Sequence, residues 1–409
     1  MDFQERLQQF FLNQFKDGLN RSNLFIAFEP IGCMIDELDP DDPSTKINAN
    51  EQLSILAERL PAIQPTMNFG TSRFSDLYET LVYGSSFRHD LFEDDEKEAY
   101  FKLFSLSKDQ AIKKLEQGKR ASVQTASGSY YLVTGYPDSW YNKNASIWIN
   151  KSFKQKLTES SKENDDPVKF NLKWNLINKK RISPSMENKF NGVLQLKNIK
   201  QQPLIFQKKL NFPEKRNVPF KSINQIQQPV QNPTITLKTV PNIVQEPKKI
   251  QVHSLLSKRM ELMQSVIKEK LVSEQHSEAD SYEISFDYCL VNLHREWFDR
   301  SLFHYANLWY AKALEKDFFS NGMKDSSNLG ELKCITSAMI LVKNLKIKAN
   351  WSQEDKSNAS ESLSLGFFNV AESEINNQNE LINPGIQALG WICEVLPQLP
   401  KYSDPILFE

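Results

Sequence analysis

Glycine, histidine and cysteine are scarce in this chain, and each scarcity narrows the chemistry that the chain can carry. The 409 residues include only 13 Gly, five His and four Cys. The glycine-dependent phosphate-loop, dinucleotide and nucleophile-elbow motifs are absent, as is the His-Glu-x-x-His zinc motif. Few histidines also limit metal sites and general bases. The sequence therefore nominates no catalytic residue, no metal site and no cofactor. It leaves open whether the chain is an enzyme, and favours the answer no.

The four cysteines lie far apart and form no Cys-x-x-Cys pair. Each adjoins an apolar run, which indicates buried free thiols in a reducing compartment rather than disulfides or a zinc site. No stretch approaches the roughly 18 uninterrupted apolar residues of a membrane-spanning helix. The first residues lack the basic start and apolar run of a secretory signal. We expect a soluble, cytoplasmic protein without a transmembrane segment, and export without a leader is the alternative.

The net charge of -1 conceals a strong asymmetry along the chain. Residues 1–100 carry eight Lys and Arg against 19 Asp and Glu, whereas residues 167–250 carry 16 against three and also hold nine of the 19 prolines. The basic stretch is either a solvated linker, a segment packed on the acidic N-terminal region, or a surface for an anionic partner. The candidate anion-binding residues are Lys179, Lys180, Arg181, Lys208, Lys209, Lys215 and Arg216.

Hydrophobic periodicity predicts an α+β protein with helices concentrated at the start and strands at the end. Helices are expected over residues 2–19, 50–60, 72–83, 93–117 and 297–319, and from residue 254. Strands are expected over residues 24–28, 129–134, 145–149, 284–293, 339–351, 362–368 and 386–396.

Four segments follow from this pattern. They are an acidic, mainly helical module (1–118), an aromatic β-hairpin region (119–166), a basic, extended Pro/Asn/Gln-rich connector (167–250) and a β-rich C-terminal domain with helices and an antiparallel or mixed sheet (251–409). If the hairpin joins the C-terminal sheet, the connector is an excursion from one domain.

One polar cluster lies at the predicted end of strand 284–293 and contains His294, Glu296, Asp299 and His304. Two imidazoles and a carboxylate have the chemistry of a metal site, and His294 beside a carboxylate has that of a general base. The spacing matches no established ligand pattern. A structural cluster at a strand end, with Arg295 paired to a nearby acid, is therefore the favoured interpretation.

Three function classes fit these observations, and no family can be assigned. The first is a non-catalytic interaction or assembly protein, with a protein partner or self-association, which the charge segregation and the missing motifs favour. The second is a polyanion or nucleic-acid binder that uses the basic connector. The third is a membrane-acting or toxin-like protein, suggested by the Phe-rich first helix. A hydrolase that uses His294 is a further alternative.

Overall fold

The computed structural model describes residues 3–15, 21–35, 45–60, 72–91, 93–125, 128–154, 172–177, 272–279, 281–371 and 373–408. The helices are α1 (Phe3–Gln14), α2 (Thr45–Ala57), α3 (Phe74–Gly84), α4 (Asp94–Arg120), α5 (Ser301–His304) and α6 (Gln353–Glu361). The predicted α+β class is confirmed.

The strands of the first half of the chain are β1 (Leu24–Met34), β2 (Ser85–Phe87), β3 (Val123–Thr125), β4 (Gly128–Tyr130), β5 (Thr134–Tyr136), β6 (Ile149–Lys154) and β7 (Lys173–Ile177). Those of the second half are β8 (Val272–His276), β9 (Tyr282–His294), β10 (Trp309–Ala311), β11 (Ser320–Asn321), β12 (Cys334–Ala349), β13 (Ser362–Leu365), β14 (Phe368–Asn369), β15 (Glu380–Asn383), β16 (Gln387–Val395) and β17 (Gln398–Leu399).

A seven-stranded antiparallel sheet forms the centre of the molecule, with β12 and β9 as its long inner strands. Strand β12 pairs with β16 along its first part and with β15 along its last part. In the same way, β9 pairs with β6 along its first part and with β5 at its end. Strand β1 completes the sheet beside β16. The layout in separate modules is not confirmed, because three of the four predicted segments contribute strands to this one sheet.

Alternation along β12 supplies both faces of the sheet with core residues. Ile340 and Val342 face α1, α6 and the small sheet β14-β13-β7-β8, whereas Met339 and Leu341 face α2 and the loop before β6. A third core lies where α3 and α4 pack on the segment after β9. The three cores together explain why the chain needs its many phenylalanines.

Two of the expected local structures are wrong. The segment 297–319 contains only the one-turn helix α5, a short 3₁₀ turn and β10. Its aromatic spacing comes from long-range packing, since the Trp297 ring stacks on Tyr131 at 4.7 Å. The expected hairpin strands, 129–134 and 145–149, do not pair with each other. The first is divided between β4, which pairs with β3, and Thr134 of β5, and the second is loop except for Ile149 of β6. Strands β5 and β6 both pair with β9, because the loop between them folds onto the sheet through Trp140.

Residues 178–271 lie outside the described part of the chain, and the strands on either side of them are neighbours. Ile177 at the end of β7 is the pairing partner of Val272 at the start of β8. We call residues 178–271 the basic insertion, because they carry 18 Lys and Arg against five Asp and Glu, a net charge of +13. The remainder of the chain, which we call the body, carries 32 against 46, a net charge of -14. The described strands that flank the insertion, β7 and β8, are neighbours in one small sheet.

We expect the body to fold when the 94 residues of the basic insertion are replaced by an Asn-Gly turn between Ile177 and Val272. That dipeptide favours the tight turn of a two-stranded hairpin. The shorter loop costs less closure entropy, so the free energy of unfolding should stay the same or rise by up to about 3 kcal/mol. Urea unfolding followed by circular dichroism measures this.

A chain with a Gly/Ser segment of equal length in the same place is the control for loop length. Its stability should match that of the unaltered chain. Loss of cooperative unfolding in both variants would contradict the prediction and place part of the insertion in the core.

Candidate functional site

The predicted polar cluster does not assemble into a site. His294, Glu296 and His304 are exposed, whereas Asp299 is buried. Within the part of the chain that the structure describes, no group of three or more His, Cys, Asp and Glu side chains could hold a metal ion. The hypothesis of a metal site therefore gains no geometric support, and a general base at His294 stays a prediction.

Asp299 instead anchors α5 to α4. Its carboxylate lies 2.7 Å from Lys114 Nζ and accepts hydrogen bonds from Gln110 Nε2 at 3.0 Å and the Ser301 amide at 2.8 Å. Burial alone would raise the pKa of Asp299, but the hydrogen bonds from Lys114 and Ser301 hold that pKa below its ordinary value. This arrangement agrees with the structural interpretation of the cluster.

Arg295 is partly buried against the end of α2 and the start of β12. It donates to the Thr336 carbonyl at 2.7 Å, to Thr336 Oγ1 at 2.6 Å and to the Ala57 carbonyl at 3.2 Å. Its guanidinium also lies over the Phe74 ring at 5.1 Å. Burial lowers the pKa of Arg295 to about 10, and the nearby Glu58 carboxylate opposes that effect. Glu58 is therefore an acid whose charge attracts Arg295, whereas the hydrogen bonds of the guanidinium go to Thr336 and Ala57.

A buried ion pair links the end of α2 to the sheet. Arg59 donates to both carboxylate oxygens of Glu29 on β1, each at 2.7 Å, and Trp391 on β16 donates its indole N–H to Glu29 Oε1 at 2.6 Å. The Glu29 and Arg59 side chains are almost completely buried. Such a bidentate pair offsets the cost of removing two charges from water only while both partners are present.

Glu58, the neighbour of Arg59, holds the start of α3. Its carbonyl accepts from the Phe74 amide and its Oε2 accepts from the Ser75 amide, both at 2.9 Å. The helix dipole also stabilises the negative charge of a carboxylate at these first amides. Among the described residues, Glu58 Oε1 and Arg295 Nε are buried polar atoms without a hydrogen-bond partner.

Sequence reasoning missed Glu29, Glu58 and Arg59. A usable signal was present, because Glu29 lies between Phe28 and Pro30, and the adjacent pair Glu58 and Arg59 lies between Ala57 and Leu60. These three residues organise the fold where β1, β16, α2 and α3 meet. They are buried, so they are structural residues and do not form a site open to a ligand.

The seven candidate anion-binding residues, Lys179 to Arg216, all lie outside the described residues. The described residue nearest to them in sequence, Ile177, shows where the basic insertion begins. Lys173, four residues earlier on β7, is paired with Glu274 on β8 at 2.8 Å. The basic character of the stretch therefore belongs to the insertion, and the lysine within the small sheet is already neutralised.

Comparisons with known proteins found no matching protein family, no similar curated protein and no similar solved structure. The structure adds that no helix among the described residues is long and apolar enough to cross a membrane. Function therefore has to be argued from the charge and geometry of this chain.

We expect Glu29→Gln to lower the free energy of unfolding by about 3 kcal/mol. The variant keeps the side-chain shape but leaves the Arg59 guanidinium buried without its counter-charge. Urea unfolding monitored by tryptophan fluorescence measures the loss. The matched control is Glu283→Gln, which breaks the exposed Lys154–Glu283 pair (3.0 Å) and should cost less than about 1 kcal/mol. Equal losses in the two variants would contradict this assignment.

Glu58 should make the fold less stable as the pH rises. Burial raises its pKa above the ordinary value, the Ser75 hydrogen bond and Arg295 oppose that rise, and Asp76 adds to it. A carboxyl with a raised pKa binds its proton more tightly in the folded state, so its stabilising effect is lost as the pH climbs from the ordinary Glu pKa through the raised one.

We therefore expect the stability of the unaltered chain to fall more steeply between pH 4.5 and neutrality than that of Glu58→Gln. Unfolding free energies measured across that range in one buffer series provide the comparison. The slope is the readout, since the substitution also changes the surroundings of Arg295 at every pH. Parallel curves for the two proteins would refute the raised pKa.

Proposed function

We propose that the chain is a non-catalytic interaction protein that binds a polyanionic polymer, such as a nucleic acid, through its basic insertion. The observation that carries this proposal is the pairing of Ile177 with Val272. Because Ile177 and Val272 are paired on adjacent strands, the body does not need the insertion to close its three cores, and we infer that the charge of the insertion serves a partner.

The charge division supports a polyanion as the partner. An insertion with a net charge of +13 attracts phosphate or sulfate groups and gains free energy from the counter-ions that they release. The body, at -14, repels the same polymer. Binding of a polyanion therefore has to occur through the insertion, which contains all seven candidate residues.

Sequence-independent binding is the expected mode. The insertion holds few aromatic residues between its basic ones, and these include Phe190, Phe206, Phe212 and Phe220. Stacking of bases on aromatic rings is the usual basis of tight single-strand binding. With few rings, most of the affinity comes from ionic contacts to the backbone of the polymer, and such contacts carry no sequence information.

The test is the salt dependence of binding to a fluorescently labelled 30-base-pair DNA duplex and to heparin. The variant replaces all seven candidate basic residues, Lys179 to Arg216, by Gln. We expect affinity at low salt to fall by about tenfold or more, and the slope of log Kd against log salt to become less steep by several units. Fluorescence anisotropy measures both quantities.

A variant with seven exposed lysines of the body changed to Gln has the same change in net charge. The replaced residues of this control are Lys102, Lys113, Lys312, Lys346, Lys348, Lys356 and Lys401. It should lose much less affinity than the insertion variant, because the body contributes no contact and its added negative charge acts only through screened repulsion. Equal losses of affinity in both variants would contradict the proposal, because the effect would then depend on net charge alone and not on the insertion.

Two results would overturn the polyanion proposal in favour of the other function classes. Binding to neither polymer, combined with concentration-dependent self-association in sedimentation, would favour an assembly protein. Leakage of dye from anionic lipid vesicles, without binding to DNA or heparin, would favour a membrane-acting protein.

A further inference from the structure

A surface groove lies between two loops that precede β12, and described residues line it. One wall consists of residues 313–318 and the other of Asn321, Ser327 and residues 329–331. The walls meet where the Glu331 amide donates to the Phe318 carbonyl at 2.8 Å. The groove has a volume of about 500 Å³, within the range of sites that bind small ligands and peptide side chains.

The first wall is held by the C-terminal segment of the chain. The Asp317 amide donates to the Pro400 carbonyl at 2.9 Å, and the Lys316 amide donates to Ser403 Oγ at 2.9 Å. The Ala313 amide donates to Asp404 Oδ2 at 2.6 Å. Three hydrogen bonds to a segment some 85 residues away in sequence fix this wall in place.

The second wall is organised by the buried side chain of Asn328. Its amide nitrogen donates to Ser320 Oγ at 3.2 Å and to the Met323 carbonyl at 3.0 Å, while its oxygen accepts from the Asn321 amide at 3.2 Å. A buried amide satisfied on both ends specifies one loop conformation. The groove is therefore preformed, which lowers the entropic cost of binding.

The groove combines an apolar surface with negative charge. Leu329 is 83% exposed, the highest value among the large hydrophobic residues described. Leu314 and Phe318 lie partly buried beside it. The lining includes three carboxylate residues, Glu315, Asp317 and Glu331, and one lysine, Lys316.

We propose that the groove binds a basic peptide segment of a partner protein, which buries an apolar side chain against Leu329 and places lysine or arginine beside Glu315 and Glu331. Charge complementarity selects the basic partner, because an acidic or phosphorylated segment would meet three carboxylates in the groove and a body of net charge -14. An apolar residue of the partner removes Leu329 from water, which an all-polar segment cannot do.

This site is independent of the proposed function. The basic insertion binds an anionic polymer, whereas the groove binds a cationic segment, so the two assays use ligands of opposite charge. A failure of polyanion binding leaves the groove untouched, and a failure of peptide binding leaves the insertion untouched.

The experiment uses the full chain and three labelled eight-residue peptides. The first has four lysines around two central leucines, the second has glutamate for lysine, and the third has serine for leucine. We expect only the first to bind measurably in fluorescence anisotropy at physiological salt. Hydrogen exchange should show slower exchange of amides within residues 313–331 when that peptide is present.

Leu329→Ser and Glu331→Gln should each weaken binding of the first peptide at least about fivefold. Both side chains are exposed, so neither change should disturb folding. The matched controls are Leu106→Ser, at a leucine 59% exposed on α4, and Glu98→Gln, at an exposed glutamate of the same helix. The controls should bind as tightly as the unaltered chain.

Equal binding of the lysine and glutamate peptides would overturn the proposal. So would losses of the same size in the control variants, because they would indicate general attraction to an acidic surface. Protection that maps outside residues 313–331 would also assign the peptide to another place on the body.

Discussion

The pairing of β9 with β12 is the constraint on which the other elements of the body depend. These strands are the longest of the described part, and they pair over residues 282–292 and 338–349. The free edge of β12 receives β16 and β15, and the free edge of β9 receives β5 and β6. Both faces of the pair are apolar over much of their length, so helices can cover both sides, as in an inner strand pair buried on two faces. The buried Glu29–Arg59 pair then joins the edge strand β1 to the end of α2.

Asn344 marks the point along β12 at which one face of the sheet changes from buried to exposed. It has a φ of 51° and lies where the register of β12 against β9 shifts. Asparagine tolerates this conformation better than most residues, and the bulge lets Leu345 and Ile347 rejoin the face that Val342 already occupies. The opposite face then becomes polar. Across four strands it presents Lys154, Glu283, Lys348 and Glu380 in consecutive paired positions. Opposite charges on neighbouring strands are favourable, which is why half a sheet face can remain in water.

The sequence was sufficient to predict helices and strands where the pattern of apolar residues depends on local geometry. Alternation predicted the strands at 284–293 and 339–351, and helical spacing predicted α1, α3 and α4 close to their observed bounds. It failed where distant packing dictates the residue types. The aromatic residues of 297–319 contact α3 and Tyr131, which are more than 150 positions away in sequence, and their spacing resembles that of a helix only by coincidence.

The groove could not be predicted from the sequence, because its walls are fixed by Ser403, Asp404 and Asn328, and no spacing rule brings those residues together. The charge asymmetry could be recognised from the sequence alone. Only the Ile177–Val272 pairing shows that the basic stretch connects two neighbouring strands of one sheet.

The small net charge of this chain is the sum of two large and opposite ones, and the screening length decides how they act. At physiological ionic strength the field of a charge fades over about 8 Å. Any part of the insertion farther than that from the body attracts a polyanion without hindrance from the carboxylates of the body. By the same argument, a basic segment in the groove experiences Glu315 and Glu331 and only those charges of the insertion that come within this distance. Ligands of opposite charge can then be held on one chain at the same time. At low salt the two fields overlap, and each ligand competes with the attraction between the two parts of the protein. A neutral total charge therefore does not mean weak electrostatics here: it makes the binding behaviour of the chain depend on ionic strength.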